Sequence, residues 1–336
     1  MNEMNEMSTK TVTKHLSLHG QNTSLVLELP AGEAPIWRYW GPKLRDESPH
    51  GLRESRPLPS FMLDFDQPLT LAPSFGVGWF GQSALLAHRQ GQAFAQAFTQ
   101  CDVHWVVPAQ SVRVVLTDPM AAIELTVHLS MDIMSDVLTM KSSLRNVGDT
   151  ALDVQWLAAG TLLLPAQAQS VRSYAGQHNH EFLLQTDKLS RSLWRRESRR
   201  GRTSHDCFPG AVVTTEGTTE SSGLVYGAHL AWSGNHQQTI EWLHDAQYQW
   251  QLGEWLAPGE GRLAAGATLQ TPEVVASCST QGLNGLAANF HTELRQRLNW
   301  PGGHMRPRPV HLNTWEGFYF DVYPDKVKEL ATAAAA

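Results

Sequence analysis

Between His15 and Ser279 the apolar residues come in short bursts, many of them at every second position. Ser24-Leu-Val-Leu-Glu-Leu alternates polar and apolar, the period of a strand with one buried face. Comparable stretches are Ile36–Trp40, Phe61–Phe65, Val103–Val107, Ser111–Leu116, Ile123–Leu129, Val137–Leu144, Leu152–Leu164, Leu224–Trp232, Thr239–Leu243, Tyr248–Trp255 and Val274–Ser279. Turn formers separate them: Pro-Ala-Gly at 30–32, Asn-Val-Gly-Asp at 146–149, Ser-Gly-Asn at 233–235 and Pro-Gly-Glu-Gly at 258–261. No helical period intervenes, so parallel strands joined by crossover helices are not supported. The pattern predicts an all-β fold, a large antiparallel sandwich over residues 15–282 behind a disordered tail, 1–14.

The period changes at Leu283. Leu286, Phe290, Leu294 and Leu298 fall four apart, an apolar stripe along a helix over 283–298, and basic residues gather towards its C-terminal end. Pro301-Gly-Gly stops it, and Arg306-Pro-Arg-Pro is an extended connector, so 283–307 reads as a linker. Val310 and Leu312, the polar Asn-Thr-Trp-Glu, and a helix from Asp325 then make one strand–loop–helix unit over 308–336. A lone parallel strand cannot bury its faces. The unit therefore reads as the opening of a second domain, only begun within these residues.

Composition narrows the function. A net charge of −6 and a pI near 6.2 argue against a nucleic-acid partner. The one dense basic run, Arg195 to Arg202, reads as a solvated loop. Cys101, Cys207 and Cys278 lie far apart and show no metal-binding spacing, which fits a reducing compartment. The N-terminus has no apolar signal-peptide core, and no run approaches the roughly 18 apolar residues of a membrane helix. The expectation is a cytoplasmic protein with no membrane partner. His178 and His180 share a strand face with Glu181 nearby, yet no further ligand completes a set, so neither metal nor cofactor is expected.

Four motifs, in order, carry a resemblance. They are Glu-Ser-Arg-Arg-Gly-Arg-Thr-Ser-His at 197–205, Trp-Ser-Gly-Asn at 232–235, the run from Leu256 through Thr271-Pro-Glu to Phe290-His291, and Arg-Pro-Val-His-Leu-Asn-Thr-Trp-Glu-Gly-Phe-Tyr-Phe-Asp at 308–321. Together they resemble glycoside hydrolase family 36, the bacterial α-galactosidases. The resemblance implies a β-supersandwich, a linker helix and a (β/α)8 barrel of which 308–336 is the first strand and helix. It also implies a retaining hydrolase that releases terminal α-linked galactose from melibiose- or raffinose-type oligosaccharides, homo-oligomeric at full length. The aspartate nucleophile and acid/base lie on later barrel strands in that family, outside residues 1–336. No catalytic residue is therefore expected in this chain, and the chain alone is expected to be inactive.

Two tryptophans are the candidate substrate-binding residues. Trp315 is expected at the C-terminal end of the first barrel strand, its indole facing a sugar and Glu316 turned away by strand alternation. Trp79, in Phe75-Gly-Val-Gly-Trp-Phe-Gly-Gln82, matches a sandwich loop that in the family reaches an active site, its own or a neighbouring subunit's. Some members carry a sugar-binding aspartate at that position, so tryptophan leaves stacking as its contribution. Arg199, Arg200, Arg202, Ser204 and His205 are expected to pack between sandwich and barrel. The competing reading is a non-catalytic sandwich that binds carbohydrate or mediates oligomerisation, with some of the twelve tryptophans lining a groove.

Overall fold

The computed structural model describes residues 14–45, 67–203, 206–244 and 246–336. The strand expected at Phe61–Phe65, Ser204, His205 and nearly all of the expected tail lie outside them; Lys14 already belongs to a strand, Lys14–His19. The described residues are mostly β-structure, and every pairing between strands is antiparallel.

The largest sheet runs His180–Lys188, Ala168–Gln177, Cys207–Thr215, Val225–Leu230, Val274–Ser279, Val137–Asn146, Ile123–Met131, Ser111–Asp118, Gln100–Val107. Thr268–Gln270 pairs beside the far end of Val137–Asn146. Ile123–Met131 alternates buried and part-exposed without a break, as a strand covered on one side should. Its inward residues share one core with Leu16, Leu18, Leu25 and Leu27 of a three-stranded sheet and with Leu162, Ile240, Trp250 and Leu252 of a four-stranded one.

The four-stranded sheet, ordered Gly160–Leu164, Tyr248–Glu254, His236–Trp242, Leu193–Ser198, is unlike the others. Gly160–Leu164 is buried at every position and Tyr248–Glu254 at all but its last. One face carries Ile240, Trp250 and Leu252 with Gln238 among them; the other carries Thr239, Gln249 and Gln251, all fully buried. Buried amides need partners. Those of Gln249 and Gln251 find them in the loop that becomes the candidate site.

The expected strand Leu152–Leu164 is in fact two, Leu152–Leu157 and Gly160–Leu164, in different sheets. Ala158 N–H donates to the Ala84 carbonyl and Ala159 N–H to that of Leu252, both at 2.8 Å, so the chain changes sheets between them. An apolar run buried on both sides has no periodicity to mark such a corner. The edge strand His180–Lys188 escaped notice for the opposite reason: each of its residues is exposed, which leaves no alternation to read.

By contact the molecule divides at Arg295/Gln296. On the first unit's side, the helix Gly282–Arg297 buries Leu286 against Gly227, where a Cβ would stand 2.8 Å from the leucine. Asn289 donates to Ser277 Oγ at 3.0 Å and to the Cys278 carbonyl at 3.2 Å. Phe290, the next residue of the predicted stripe, is half-buried with its ring 5.6 Å from that of His229, while Leu294 and Leu298 are exposed.

The second unit, Gln296–Ala336, contains the helices Trp315–Phe318 and Pro324–Ala335. The strand expected from Arg308 does not form; residues 304–314 carry no regular structure. Extended backbone with no neighbouring strand has no ladder to join, which is the physical reason.

Candidate functional site

The loop 75–84 is shaped from its glycines outward. Phe75–Val77 is a single 3-10 turn, and Gly78 closes it at φ 88° by donating its N–H to the Phe75 carbonyl. Gly76 lies against the carbonyls of Ala95 and Gln96, where a Cβ would come within 2.5 Å. The loop is therefore pressed flat on the chain below it.

Its next residues are fastened to the buried polar face of the four-stranded sheet. Gln82 N–H donates to Glu241 Oε2 at 2.7 Å, and Gln249 Nε2 donates to the same oxygen. The Gln82 carbonyl accepts from Gln249 Nε2 and Gln251 Nε2, each at 3.1 Å, and from Trp79 Nε1 at 3.2 Å. Trp156 Nε1 donates to Gln251 Oε1 at 3.2 Å and extends the network inward. A charge-assisted bond to a part-buried carboxylate is about twice as strong as a neutral one, so Glu241 is the principal tether.

This arrangement corrects the expectation for Trp79. Its ring is 2% exposed and belongs to the core, with the indole N–H spent on the loop's own backbone. The turn after Gly78 sends residue 79 inward and residue 80 outward, so Phe80 takes the solvent position. Phe80 packs edge-on against Phe75 at 5.6 Å between ring centres, and Phe75 lies 6.2 Å from Phe94. Phe80 and Phe94 are 62% and 61% exposed, an unusual outlay of aromatic surface for a soluble domain.

The three phenylalanines wall a cleft of about 450 Å³ whose polar side holds Glu241, Gln155, His88 and Ser83. Gly91 N–H donates to His88 Nδ1 at 3.1 Å, and His88 Nε2 lies 3.5 Å from the amide nitrogen of Gln155. Aromatic faces beside amide, imidazole and carboxylate suit a ligand with apolar C–H faces and many hydroxyls. Glu241 is the one carboxylate among the described residues that line the cleft. Retaining glycoside hydrolysis needs two, about 5–5.5 Å apart. This is binding chemistry.

Trp315 is 48% exposed and opens a short helix instead of ending a strand. Its backbone N–H donates to Asn313 Oδ1 at 2.9 Å, while Asn313 Nδ2 donates to Glu316 Oε2 at 2.8 Å. Asn313 thus caps the turn, and Glu316 is placed by this bond, not by strand alternation. The indole meets Tyr319 and Phe320 edge-on at 5.6 and 5.0 Å.

The arginine segment and the Trp-Ser-Gly-Asn motif, 30 residues apart in sequence, meet in space. Gly201 N–H donates to Asn235 Oδ1 at 2.7 Å, and Thr203 Oγ1 donates to the Trp232 carbonyl at 2.9 Å. Glu197 pairs with Arg195 and Arg199, Arg199 lies 4.9 Å over the Trp255 ring, and Arg200 pairs with Asp206 at 2.7 Å. Beneath them Cys207 Sγ is 3.6 Å from His236 Nε2. Burial pushes the thiol up and the imidazole down, so both are neutral near pH 7. His178 and His180 flank an exposed hairpin turn, and no cluster of three or more metal-ligating side chains occurs among the described residues. Among the described residues no helix is long and apolar enough to cross a membrane.

Comparison with known proteins places these features in a family. Residues 33–264 match the glycosyl hydrolase family 36 N-terminal domain, and residues 268–336 match melibiase. An α-galactosidase of Escherichia coli is 33% identical over 327 residues, covering 97% of this chain and 45% of the relative. A bifunctional α-galactosidase/sucrose kinase of Mediterraneibacter gnavus is 32% identical over 230 residues, covering 68% of this chain and 24% of that one. Among solved structures, a variant of the family 36 α-galactosidase AgaA of Geobacillus stearothermophilus in complex with raffinose superposes with a TM-score of 0.82 at 25% identity, covering 96% of this chain and 48% of that one. The chain thus spans about half the length of the relatives it matches.

Proposed function

The chain belongs to glycoside hydrolase family 36, and from that membership we propose that the protein it forms part of is an α-galactosidase, a retaining hydrolase of melibiose- and raffinose-type oligosaccharides. The observation that carries the reading is the pair of contiguous matches, sandwich then melibiase, with relatives named α-galactosidase. On this reading residues 308–336 begin a (β/α)8 barrel, and the unpaired segment before Trp315 becomes its first strand once a neighbour strand is present to pair with it. The catalytic carboxylates come from barrel sequence beyond these residues. Trp315 contributes a sugar-facing indole, while Trp79 serves by fixing the loop that presents Phe80. We further propose that the protein is cytoplasmic and homo-oligomeric, and that the loop cleft adds contacts to the galactoside.

The test is hydrolysis by a protein that continues through the barrel. It should release galactose from an aryl α-galactoside, with the α-anomer appearing first by NMR. The chain ending at Ala336 should release none. No turnover by the longer protein, or first appearance of the β-anomer, defeats the reading.

The alternative, a sandwich that binds carbohydrate without catalysis, is favoured by the single carboxylate in the aromatic cleft. It predicts that the longer protein binds galactosides and leaves them intact.

A further inference from the structure

A second cleft lies where two sheets fail to join. Ile36–Pro42 is an edge of its three-stranded sheet, and Gly160–Leu164 is an edge of the four-stranded one. Neither pairs with the other. The slot between them has a volume of about 740 Å³, within the roughly 300–1,000 Å³ typical of small-molecule sites. None of its lining residues is shared with the cleft beside Phe80.

The lining chemistry is specific. Tyr39, Leu163, Pro165 and Leu224 supply apolar surface. Tyr39 is held in place by donating its hydroxyl to the Pro42 carbonyl at 2.7 Å. Trp40 also lines the slot; it is 3% exposed, and its indole N–H has no hydrogen-bond partner. That nitrogen is sealed from solvent, so Trp40 gives the slot part of its wall and no donor. Around the slot stand Gln167, Gln169, Gln247 and Thr215. Each amide both donates and accepts, as sugar hydroxyls do.

Charge excludes the commoner ligand classes. Arg38, the one cation among the described residues of the lining, is paired with Glu28 and lies mostly buried. Glu216, also in the lining, is exposed and adds a negative charge. Phosphates, nucleotides and other anions therefore meet no free cation among the described residues of the slot.

We propose that this slot binds a neutral oligosaccharide, at a site separate from the aromatic cleft and independent of hydrolysis. Apolar walls with an amide rim, and no uncompensated positive charge among the described residues of the lining, together point to a polyhydroxylated, uncharged ligand. The proposal stands on the lining of the sandwich and does not rest on the hydrolase reading.

The test uses the whole 336-residue chain with raffinose, maltotriose and cellotriose as probes, read by calorimetry and saturation-transfer NMR. Ala166→Trp places an indole in the slot from an exposed position, and Gln169→Ala removes one rim amide. Phe80→Ala alters the other cleft alone. At least one of the three sugars should show a saturable site that weakens at least tenfold in Ala166→Trp and several-fold in Gln169→Ala and is unchanged in Phe80→Ala, which affects only binding at the loop cleft. Thermal midpoints should stay within a degree or two throughout. No binding of any probe to the folded wild-type chain overturns the proposal. So does binding that Ala166→Trp leaves intact and Phe80→Ala removes, which would put the sugar at the loop. Displacement of bound sugar by inorganic sulfate would overturn the assignment of a neutral ligand.

Discussion

Glu241 Oε2 accepts the backbone N–H of Gln82 at 2.7 Å across 159 residues of sequence, and that bond holds the aromatic loop to the sheet beneath it. Removing the carboxylate leaves the Gln82 N–H and one Gln249 donor without their acceptor. Glu241→Ala should cost about 2–3 kcal/mol, the scale of a lost charge-assisted bond with its partners stranded. Amide hydrogen exchange at residues 79–84 should accelerate while strands of the large sheet keep their protection. Unchanged exchange in the loop would show that the glycine packing suffices without Glu241.

Trp79 and Phe80 are adjacent and should respond in opposite ways. Trp79→Ala empties a core position and should destabilise by about 3–5 kcal/mol. Phe80→Ala removes a ring that is 62% exposed and should leave the thermal midpoint nearly unmoved. In an active longer protein the Phe80 change should raise KM for raffinose with little effect on kcat. A rise in kcat with KM constant would remove Phe80 from substrate binding.

The pH dependence of stability has a calculable sign. Burial lowers the His236 pKa from its usual 6.5. The unfolded chain therefore binds a proton that the folded one refuses, and stability rises with pH through that interval. Read downward, stability is lost as pH falls below about 6.5 and the loss levels off once the folded imidazole protonates. His128, lowered chiefly by burial and also by Lys141 and Arg113, acts in the same direction. Thermal midpoints measured from pH 7.5 to 5 should fall, and His236→Gln should flatten the slope. An equal slope in the variant would mean that His236 protonates normally in the fold.

Trp315→Ala tests the second unit separately. The exposed indole contributes nothing to the sandwich core, so the main unfolding transition of this chain should be unaltered. In a longer, active protein the same change should lower kcat/KM at least tenfold. Full activity would leave Trp315 as a packing partner of Tyr319 and Phe320.

How much of this was legible follows the kind of burial involved. Ile123–Met131, covered on one face, announces itself by strict alternation, and the sequence reading of Ile123–Leu129 lies inside it. Leu152–Leu164 hid a change of sheet because every residue from Trp156 to Leu164, across the corner, is buried. The helix from Gly282 was plain from its four-residue spacing, yet only Leu286 of the leucine stripe finds a burying partner. For the candidate site, the glycines of 75–82 marked the loop that displays Phe80. Which aromatic faced outward did not follow, because the side chains that settle it, Glu241, Gln249 and Gln251, are contributed from far along the chain. Trp79-Phe80, two large aromatics in succession within a loop, was the available hint that one is buried and one displayed.

The order of strands in the large sheet also sets a timetable for biosynthesis. Gln100–Val107 through Val137–Asn146 form a meander from contiguous sequence, and Ala168–Gln177 through Val225–Leu230 form a second block. Val274–Ser279 alone bridges them, pairing with Val225–Leu230 on one side and Val137–Asn146 on the other. At about 5–20 residues per second the first block waits roughly 6–26 seconds, its edge open, before that bridging strand is made. A nascent sheet held open for so long is a natural client for ribosome-associated chaperones, and slowing elongation before Val274 should lower the yield of soluble protein more than slowing it after Ser279.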